Sequence, residues 1–227
     1  MTLRSRVSLE LSLLGASTAG FLLLFPKRPL GVDLGLALLA LSLVGLNAGF
    51  TRNAIWGRFP SRCETGRLRR CFVITMGVTA CGVFAILALG MGMAYAQGGW
   101  EEVFGRIFTW RLFSAIGLYF PWALLQQTLF QFYLLGRLRV ALPSKSPLPA
   151  ITLTGIGYSL VHLPDWGITV MTALAGTFWS SLYYAFRVLS PLALSHAILG
   201  STFYYWIYGE DLLGAWISGP IALTDPG

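Results

Sequence analysis

Charged side chains are scarce in this sequence: Asp, Glu, Lys and Arg together make up 11% of its 227 residues. Soluble domains carry about 25% charged residues, because they must cover their surface with polar groups. A freely soluble globular protein is therefore excluded. Disordered chains are poor in aromatic residues, whereas aromatic residues make up 14% of this sequence, so disorder is excluded as well. The class that remains is an integral membrane protein.

Several motifs of soluble enzymes and binding proteins are also missing. The sequence has no glycine-rich dinucleotide fingerprint and no phosphate-binding loop of the Walker type. None of its three cysteines has a spacing typical of a metal site. The net charge is +7, yet no basic stripe is interleaved with aromatic residues in a soluble segment. We therefore expect no cofactor, no metal and no nucleic-acid partner.

Long uncharged runs fill most of the sequence, and a helix needs about 20 mainly apolar residues to cross a membrane. Seven runs are candidate spans: 11–26, 34–51, 71–100, 112–136, 146–164, 166–186 and 188–209. A last apolar piece, 212–223, contains a Gly-Pro pair and is either an interfacial segment or an eighth span. The predicted fold class is all-α, a polytopic membrane bundle of seven or eight transmembrane helices.

The basic residues predict how these spans are oriented. With seven alternating spans, twelve of the sixteen Lys and Arg fall on one side, six of them in the loop 51–70. Because basic loops stay on the cytoplasmic side, we expect a multi-pass protein of the plasma (inner) membrane with a cytoplasmic N-terminus. We divide the chain into a three-helix region (1–110), a four-helix core (111–209) and an interfacial tail (210–227).

Polar side chains are costly inside a bilayer, and three of the predicted spans carry them. They are Gln126, Gln127 and Gln131 in the fourth span, Tyr158 and His162 in the fifth, and Ser195 and His196 in the seventh. Counted from the cytoplasmic ends at ~1.5 Å per residue, Gln127, His162 and His196 lie at depths of ~15, ~18 and ~12 Å. The three spans thus place polar groups at similar depth.

Two interpretations of these polar groups stay open. Glutamines and histidines often hydrogen-bond between helices and contribute only to packing. Alternatively, the two histidines, which are the only ones in the chain, share one polar cavity with the glutamines. The spacing of four residues within Gln127 and Gln131, and within Tyr158 and His162, puts each pair on one face of an α-helix. We expect the fourth, fifth and seventh spans to converge on such a cavity.

The same residues carry a family resemblance. The segment Gln126-Gln127-Thr128-Leu129-Phe130-Gln131 resembles the first motif, Glu-Glu-x-x-x-Arg, of the CPBP intramembrane proteases (the CAAX protease and bacteriocin-processing, or Abi, family). Tyr158 to His162 resembles the second motif, Phe-x-x-x-His, and His196 to Gly200 resembles the third, His-x-x-x-Asn. The resemblance covers about 112–208 and implies a membrane protease scaffold.

The departures from these motifs bear on the chemistry. The resemblance implies that family members use the first Glu as a general base on a water, assisted by the two His and the Asn. Here both Glu positions and the Arg position hold Gln, and Gly200 stands in place of the Asn. An amide cannot take up a proton near neutral pH, so Gln126 cannot serve as that base. The scaffold is kept while the usual chemistry is removed.

A literal match to the first motif lies elsewhere, at Glu101-Glu102-Val103-Phe104-Gly105-Arg106. It precedes the fourth span at the predicted outer interface, where carboxylates and tryptophans such as Trp100 and Trp110 are common without any catalytic role. It also lies 61 residues from His162, whereas Gln126 lies 36 residues from it, a separation closer to that of the family. We therefore take the glutamine segment as the motif.

Two functions from different classes follow. The first is a non-catalytic pseudoenzyme that binds a membrane polypeptide, a lipid or a pigment, or that serves as a subunit of a membrane complex. The alternative is a divergent endopeptidase that processes membrane or prenylated peptides with a histidine base. The candidate catalytic residues are His162 and His196. The candidate binding residues are Gln126, Gln127, Gln131, Tyr158, Ser195 and Gly200. Membrane lipid, and a protein partner or a peptide substrate, are the expected partners.

Overall fold

A computed structural model describes residues 2–24, 35, 38, 42, 65–107 and 110–209 of the chain. These residues contain helices and turns, and no strand occurs among them, as the all-α prediction requires. Nearly all of the second predicted span, residues 51–64 of the basic loop and the whole tail 210–227 lie outside the described residues. The predicted eighth span belongs to that tail.

The helices follow the predicted runs with several differences in length. The α-helices are α1 (Leu3–Leu24), α2 (Thr65–Ile107), α3 (Trp110–Gln127), α4 (Leu135–Ala141), α5 (Leu148–Leu160), α6 (Trp166–Phe186) and α7 (Ser190–Phe203). Two further segments are π-helical, Thr128–Leu134 and Tyr204–Tyr208. In a π-helix each backbone N–H donates to the carbonyl five residues earlier, instead of four residues earlier as in an α-helix. The sixth predicted span coincides with α6. The fourth and the seventh each end in a π-helical segment.

Among the described residues, only α2 is both long and apolar enough to cross a membrane: an 18-residue stretch within Thr65–Arg106 has a mean hydropathy of 2.4. Its backbone is broken at Gly98 and Gly99, where Gly99 has φ 66°, a value that only glycine adopts easily. Large apolar side chains on α2 are exposed, for example Phe84 at 76%. Such exposure suits contact with lipid. A bundle of seven or eight spans remains a prediction.

The fifth predicted span, 146–164, forms a shorter helix than expected. The α5 helix has 13 residues, and tight turns follow it, with His162 N donating to the Ser159 carbonyl at 2.9 Å and Asp165 N donating to the His162 carbonyl at 3.1 Å. Asp165 then begins α6, because its side chain accepts a hydrogen bond from Ile168 N at 3.0 Å. His162 therefore lies in a turn, and the prediction that it lies on a helix was wrong.

The described residues form two compact units that interleave along the chain. The first contains α1 and residues 126–189, and the second contains most of α2 and α3 together with residues from Ser190 onward. The three-part division predicted from the sequence remains a prediction.

In the first unit, α5 and α6 pack with their backbones close together. A Cβ atom at Gly155 would collide with Thr177, and a Cβ at Gly176 would lie 3.2 Å from Gly155 Cα. Ser180 is fully buried on the same helix. Small residues let apolar helices approach in this way. Gly155 and Gly176 therefore allow the close contact between α5 and α6.

The first unit also holds the N-terminal helix by an ion pair between the partly exposed Glu10 and the buried Arg137. Glu10 on α1 accepts a hydrogen bond from the Tyr133 hydroxyl and lies 3.1 Å from Arg137 Nε. Arg137 is only 2% exposed, and its guanidinium also lies 5.3 Å from the centre of the Tyr133 ring. A buried charge must be paired to be tolerated. Glu10 therefore attaches α1 to the segment that follows the glutamine motif.

In the second unit, glycines of α2 lie against the end of the seventh span. A Cβ at Gly90 would come within 2.9 Å of the Trp206 carbonyl oxygen, and a Cβ at Gly82 would strike the Leu199 side chain. A second cluster joins α3 and α7 through Tyr119, Ala123 and Ala197. These contacts place α7 against both α2 and α3.

Candidate functional site

Two glutamines of the first motif are shut away from solvent. Gln127, the last residue of α3, and Gln131, in the π-helical segment, are both 0% exposed. Neither their Oε1 nor their Nε2 atoms have a hydrogen-bond partner among the described residues. Gln126 is only half-buried. An unpaired buried amide costs about 1–3 kcal/mol, so these two side chains reduce stability as they stand.

The π-helical segment changes how the two glutamines are related. Its backbone hydrogen bonds join residues five apart. At the end of the segment, for example, Leu135 N donates to the Phe130 carbonyl. Residues four apart therefore do not align as they do on an α-helix. The prediction that Gln127 and Gln131 share a face rested on α-helical spacing, which does not hold here. Both are nevertheless buried in the same unit. Single π-turns inserted in α-helices are frequent at functional sites.

Tyr158 and His162 meet in the first unit. Tyr158 is fully buried, and its ring packs edge-on against Phe130 at 4.6 Å and against Trp179 at 5.6 Å between ring centres. The His162 ring stacks on Tyr158 at 6.0 Å and 28°. The predicted pairing of these two residues is therefore present. It is produced by the turn after α5 and not by a shared helix face.

The protonation of His162 follows from its contact with the backbone. Its Nδ1 lies 3.2 Å from the Tyr158 carbonyl oxygen. A carbonyl oxygen only accepts, so Nδ1 must carry the hydrogen. In the neutral imidazole the lone pair is then on Nε2. His162 thus has the tautomer that a general base acting through Nε2 would need.

His196 lies in the second unit, on α7. It is 4% exposed, and its Nε2 lies 3.2 Å from the Tyr119 hydroxyl, with the two rings edge-on at 5.3 Å and 82°. Tyr119 is a functional candidate that sequence reasoning missed. The only signal was a tyrosine within the apolar fourth span, and its proximity to His196 depends on the packing of α3 against α7.

Gly200 occupies the Asn position of the third motif, and Tyr119 occupies the space beside it. A Cβ at Gly200 would lie 3.1 Å from Tyr119 Cε1, which is closer than nearly all real Cβ contacts. A side chain the size of Asn therefore has no room unless the tyrosine ring moves. The group beside His196 in this chain is thus the Tyr119 phenol.

Ser195 and its neighbour His196 contact different helices. It is 1% exposed, and its Oγ lies 2.7 Å from Thr79 Oγ1 on α2. Ser195 therefore ties α7 to α2, while His196 contacts α3. This hydrogen bond gives Ser195 a part in helix packing, and its predicted binding role stays a prediction.

The literal Glu-Glu-x-x-x-Arg segment forms a local ion pair near the end of α2. Arg106 lies 2.8 Å from Glu102, one helical turn away, and also contacts Gln97 Oε1 at 3.0 Å and the Trp206 carbonyl at 3.4 Å. Glu101 is exposed. Arg106 thus joins this helix end to the π-helical segment after α7.

The candidate residues are distributed over the two units. Gln126, Gln127, Gln131, Tyr158 and His162 belong to the first, and Ser195, His196 and Gly200 belong to the second. The predicted common cavity stays a prediction. Within the part of the chain that the structure describes, no three His, Cys, Asp or Glu side chains come together as metal donors.

Comparison with known proteins gives one match. The family model described as type II CAAX prenyl endopeptidase Rce1-like matches residues 81–202, which is more than half of the chain. The matched range contains all three motif segments and Tyr119. Proteins of this family are embedded in the membrane. No curated protein and no solved structure matches the chain.

Proposed function

The chain belongs to the Rce1-like family of type II CAAX prenyl endopeptidases, and from this premise we propose that it is a non-catalytic member. In this proposal it binds a prenylated or other membrane polypeptide without hydrolysing it. The scaffold supplies the recognition of the polypeptide, and the motif residues no longer supply proton transfer.

One observation carries the proposal: the buried amides of Gln127 and Gln131 have no hydrogen-bond partner among the described residues. An amide offers one acceptor and two donor hydrogens, whereas it has no proton to exchange at neutral pH. Two neutral amides at Glu and Arg positions of the motif retain polar recognition and lose acid–base chemistry. A peptide group has both a donor and an acceptor, so binding one would satisfy atoms that otherwise destabilise the fold.

The surroundings of His196 support the same conclusion. The motif Asn is absent, and the Tyr119 ring lies where its side chain would project from Gly200. A tyrosine hydroxyl near a histidine can hydrogen-bond, but the bulky ring also takes up space that a substrate carbonyl and a water would need. The chemistry of this half of the motif set is therefore altered together with the first motif.

A second candidate function is an endopeptidase with a histidine base. The tautomer of His162, with the hydrogen on Nδ1, favours it, because Nε2 then has a lone pair for a water proton. In this alternative the oxyanion would be stabilised by a donor of the same unit, such as the Gln127 amide. The two candidates differ in one measurable outcome, which is cleavage of a bound peptide.

The test uses the purified full-length chain in liposomes with a farnesylated peptide that ends in a CAAX sequence. We expect the peptide to bind and to remain intact in mass spectra. Gln127→Met should weaken binding about tenfold, the equivalent of one lost hydrogen bond in a buried site. Gln97→Met, the same change at an exposed position of α2, should leave binding unchanged.

Two results would contradict the proposal. Specific cleavage that disappears in both His162→Ala and His196→Ala would establish the endopeptidase instead. Equal peptide affinity of the wild type and of Gln127→Met would mean that the amide does not contact the bound polypeptide.

A further inference from the structure

Two arginines at one end of the first unit share a single tyrosine ring. The guanidinium carbon of Arg139, in α4, lies 5.6 Å from the centre of the Tyr184 ring, and that of Arg187 lies 5.5 Å from the same centre. Arg187 also lies 5.7 Å from the Tyr183 ring. The two arginines come from the segments after the fourth and the sixth predicted spans, so the fold brings two distant basic segments together.

The described residues supply no negative charge to this pair. Arg139 Nη1 donates to the Ser146 carbonyl at 2.8 Å, and neither arginine forms an ion pair with a carboxylate among the described residues. Two cations held close to one ring repel each other. A guanidinium over an aromatic face keeps the N–H groups in its own plane available for an anion. The pair therefore has the charge and the donors of an anion site.

The backbone conformation of Arg187 also supports an anion site. Its φ is 58°, which makes it the one non-glycine residue with a positive φ in the described part of the chain. It ends α6 as the left-handed C-cap, a position that glycine fills with the least strain. The protein thus has a large charged side chain at a position where the left-handed backbone favours glycine, which has no side chain. A contribution from the guanidinium itself offsets that strain.

The position of the pair along α6 fits the surface of a bilayer. The helix has 21 residues and is ~31 Å long, close to the thickness of the hydrocarbon core. Its first two-thirds expose apolar side chains, such as Trp166 at 71% and Leu174 at 67%. Tyr184 and Arg187 stand at the other end, where tyrosine and arginine meet lipid headgroups. Leu148, close to Ser146, is 65% exposed and continues the apolar surface to this end.

We propose that Arg139 and Arg187, which both lie against the Tyr184 ring, bind the phosphate of an anionic phospholipid. The planar guanidinium donors match phosphate oxygens in a bidentate manner. The exposed side chains of Leu148 and Leu174 contact the acyl chains. The site lies apart in sequence from all three motif segments and does not depend on the proposed function. The competing explanation is a local one, in which each arginine only interacts with the negative end of a helix dipole and binds no lipid.

The experiment separates these roles with the full-length protein in a neutral detergent. Native mass spectrometry measures the affinity for dioleoylphosphatidylglycerol and for dioleoylphosphatidylcholine, and tryptophan fluorescence measures the unfolding temperature without lipid. The variants are Arg187→Gly, which removes the charge and relieves the left-handed strain, and Arg139→Gln. The control is Arg70→Gln, which removes the same charge from an exposed position on α2.

We expect phosphatidylglycerol to bind more tightly than phosphatidylcholine. Arg187→Gly and Arg139→Gln should each weaken phosphatidylglycerol binding about tenfold, whereas Arg70→Gln should change it less than about twofold. Arg187→Gly should unfold at the same or a higher temperature than the wild type, a result that a dipole-capping role does not give. The Arg187→Gly variant therefore still tests the proposal if Arg139→Gln folds poorly.

Two outcomes would overturn the assignment. In the first, Arg187→Gly binds phosphatidylglycerol as well as Arg70→Gln does. In the second, inorganic phosphate binds as tightly as phosphatidylglycerol and shows the same dependence on Arg187, which would make the ligand free phosphate and not a lipid.

Discussion

Replacing the buried glutamines by methionine should make the protein more stable and less functional at once. Methionine has the length and the unbranched shape of glutamine without its polar atoms, so the change fills the same volume. Gln127 and Gln131 are both 0% exposed, and their amide atoms have no partner among the described residues. In most buried sites, removing an amide breaks hydrogen bonds. Here it removes the desolvation cost of burying an amide without a hydrogen bond.

The magnitude follows from that penalty. A buried polar group without a partner costs about 1–3 kcal/mol, and each glutamine carries one such amide. Gln127→Met or Gln131→Met should therefore raise the free energy of unfolding by roughly 1–3 kcal/mol. For a chain of this size, each kcal/mol shifts the unfolding temperature by about 2–4 °C, so a rise of roughly 2–12 °C is expected.

The assay is thermal unfolding of the purified protein in detergent, followed by tryptophan fluorescence, with peptide binding measured on the same samples. Gln97→Met is the control, because Gln97 is exposed and its replacement removes only a solvent-exposed hydrogen bond from Arg106. The expected pattern is a higher unfolding temperature together with weaker peptide binding for both buried variants, and no rise in unfolding temperature for the control.

A lower unfolding temperature for both buried variants would refute the reasoning. It would mean that each amide is hydrogen-bonded in the folded protein and that its loss breaks a favourable contact. A higher temperature with unchanged peptide binding would keep the energetic argument and contradict the role of the amides in recognition.

Three further predictions concern packing and charge. Gly155→Ala should lower the unfolding temperature because its Cβ meets the backbone of α6, whereas Gly77→Ala, with open space around it, should raise it slightly; equal shifts in thermal melts would contradict the close packing. Glu10→Gln should lower the free energy of unfolding by about 1–3 kcal/mol, measured by denaturant unfolding, because it removes the carboxylate that the buried Arg137 contacts; an unchanged free energy would contradict this ion pair. Gly200→Asn should lower the melting temperature because the new side chain strikes the adjacent Tyr119 ring, and the same change should cost less in a Tyr119→Ala background; equal costs in the two backgrounds would place the clash elsewhere.

The positions of the chemically important residues could be predicted from the sequence to a useful extent. The segments around Gln127, Tyr158 and His196 were found because rare polar side chains stand out in apolar runs, and the family match contains all of them. Tyr119 was not found, because one tyrosine in an apolar span has no distinguishing local pattern. Its contact with His196 joins residues 77 positions apart.

Helix boundaries were predicted less well where the backbone departs from regular α-helix. An uncharged run marks the segment that stays out of water, and it does not mark where hydrogen bonding changes. For this reason the run 146–164 predicts one helix, although α5 ends at Leu160 and His162 lies in a turn. The π-helical turns around Gln131 escaped detection in the same way, since they differ from α-helix only in which carbonyl each N–H meets.

By itself the sequence determined the class of protein, the all-helical content and the loss of titratable groups from the first motif. These properties depend on composition and on residue identity, and no fold can give an amide a proton to transfer. Only the tertiary structure decided which residues are neighbours. It placed Tyr119 against Gly200, paired Glu10 with Arg137, and brought Arg139 and Arg187 to one ring. Such pairings depend on the distances between helices, which are set by the packing of many side chains together and are not encoded in any local segment.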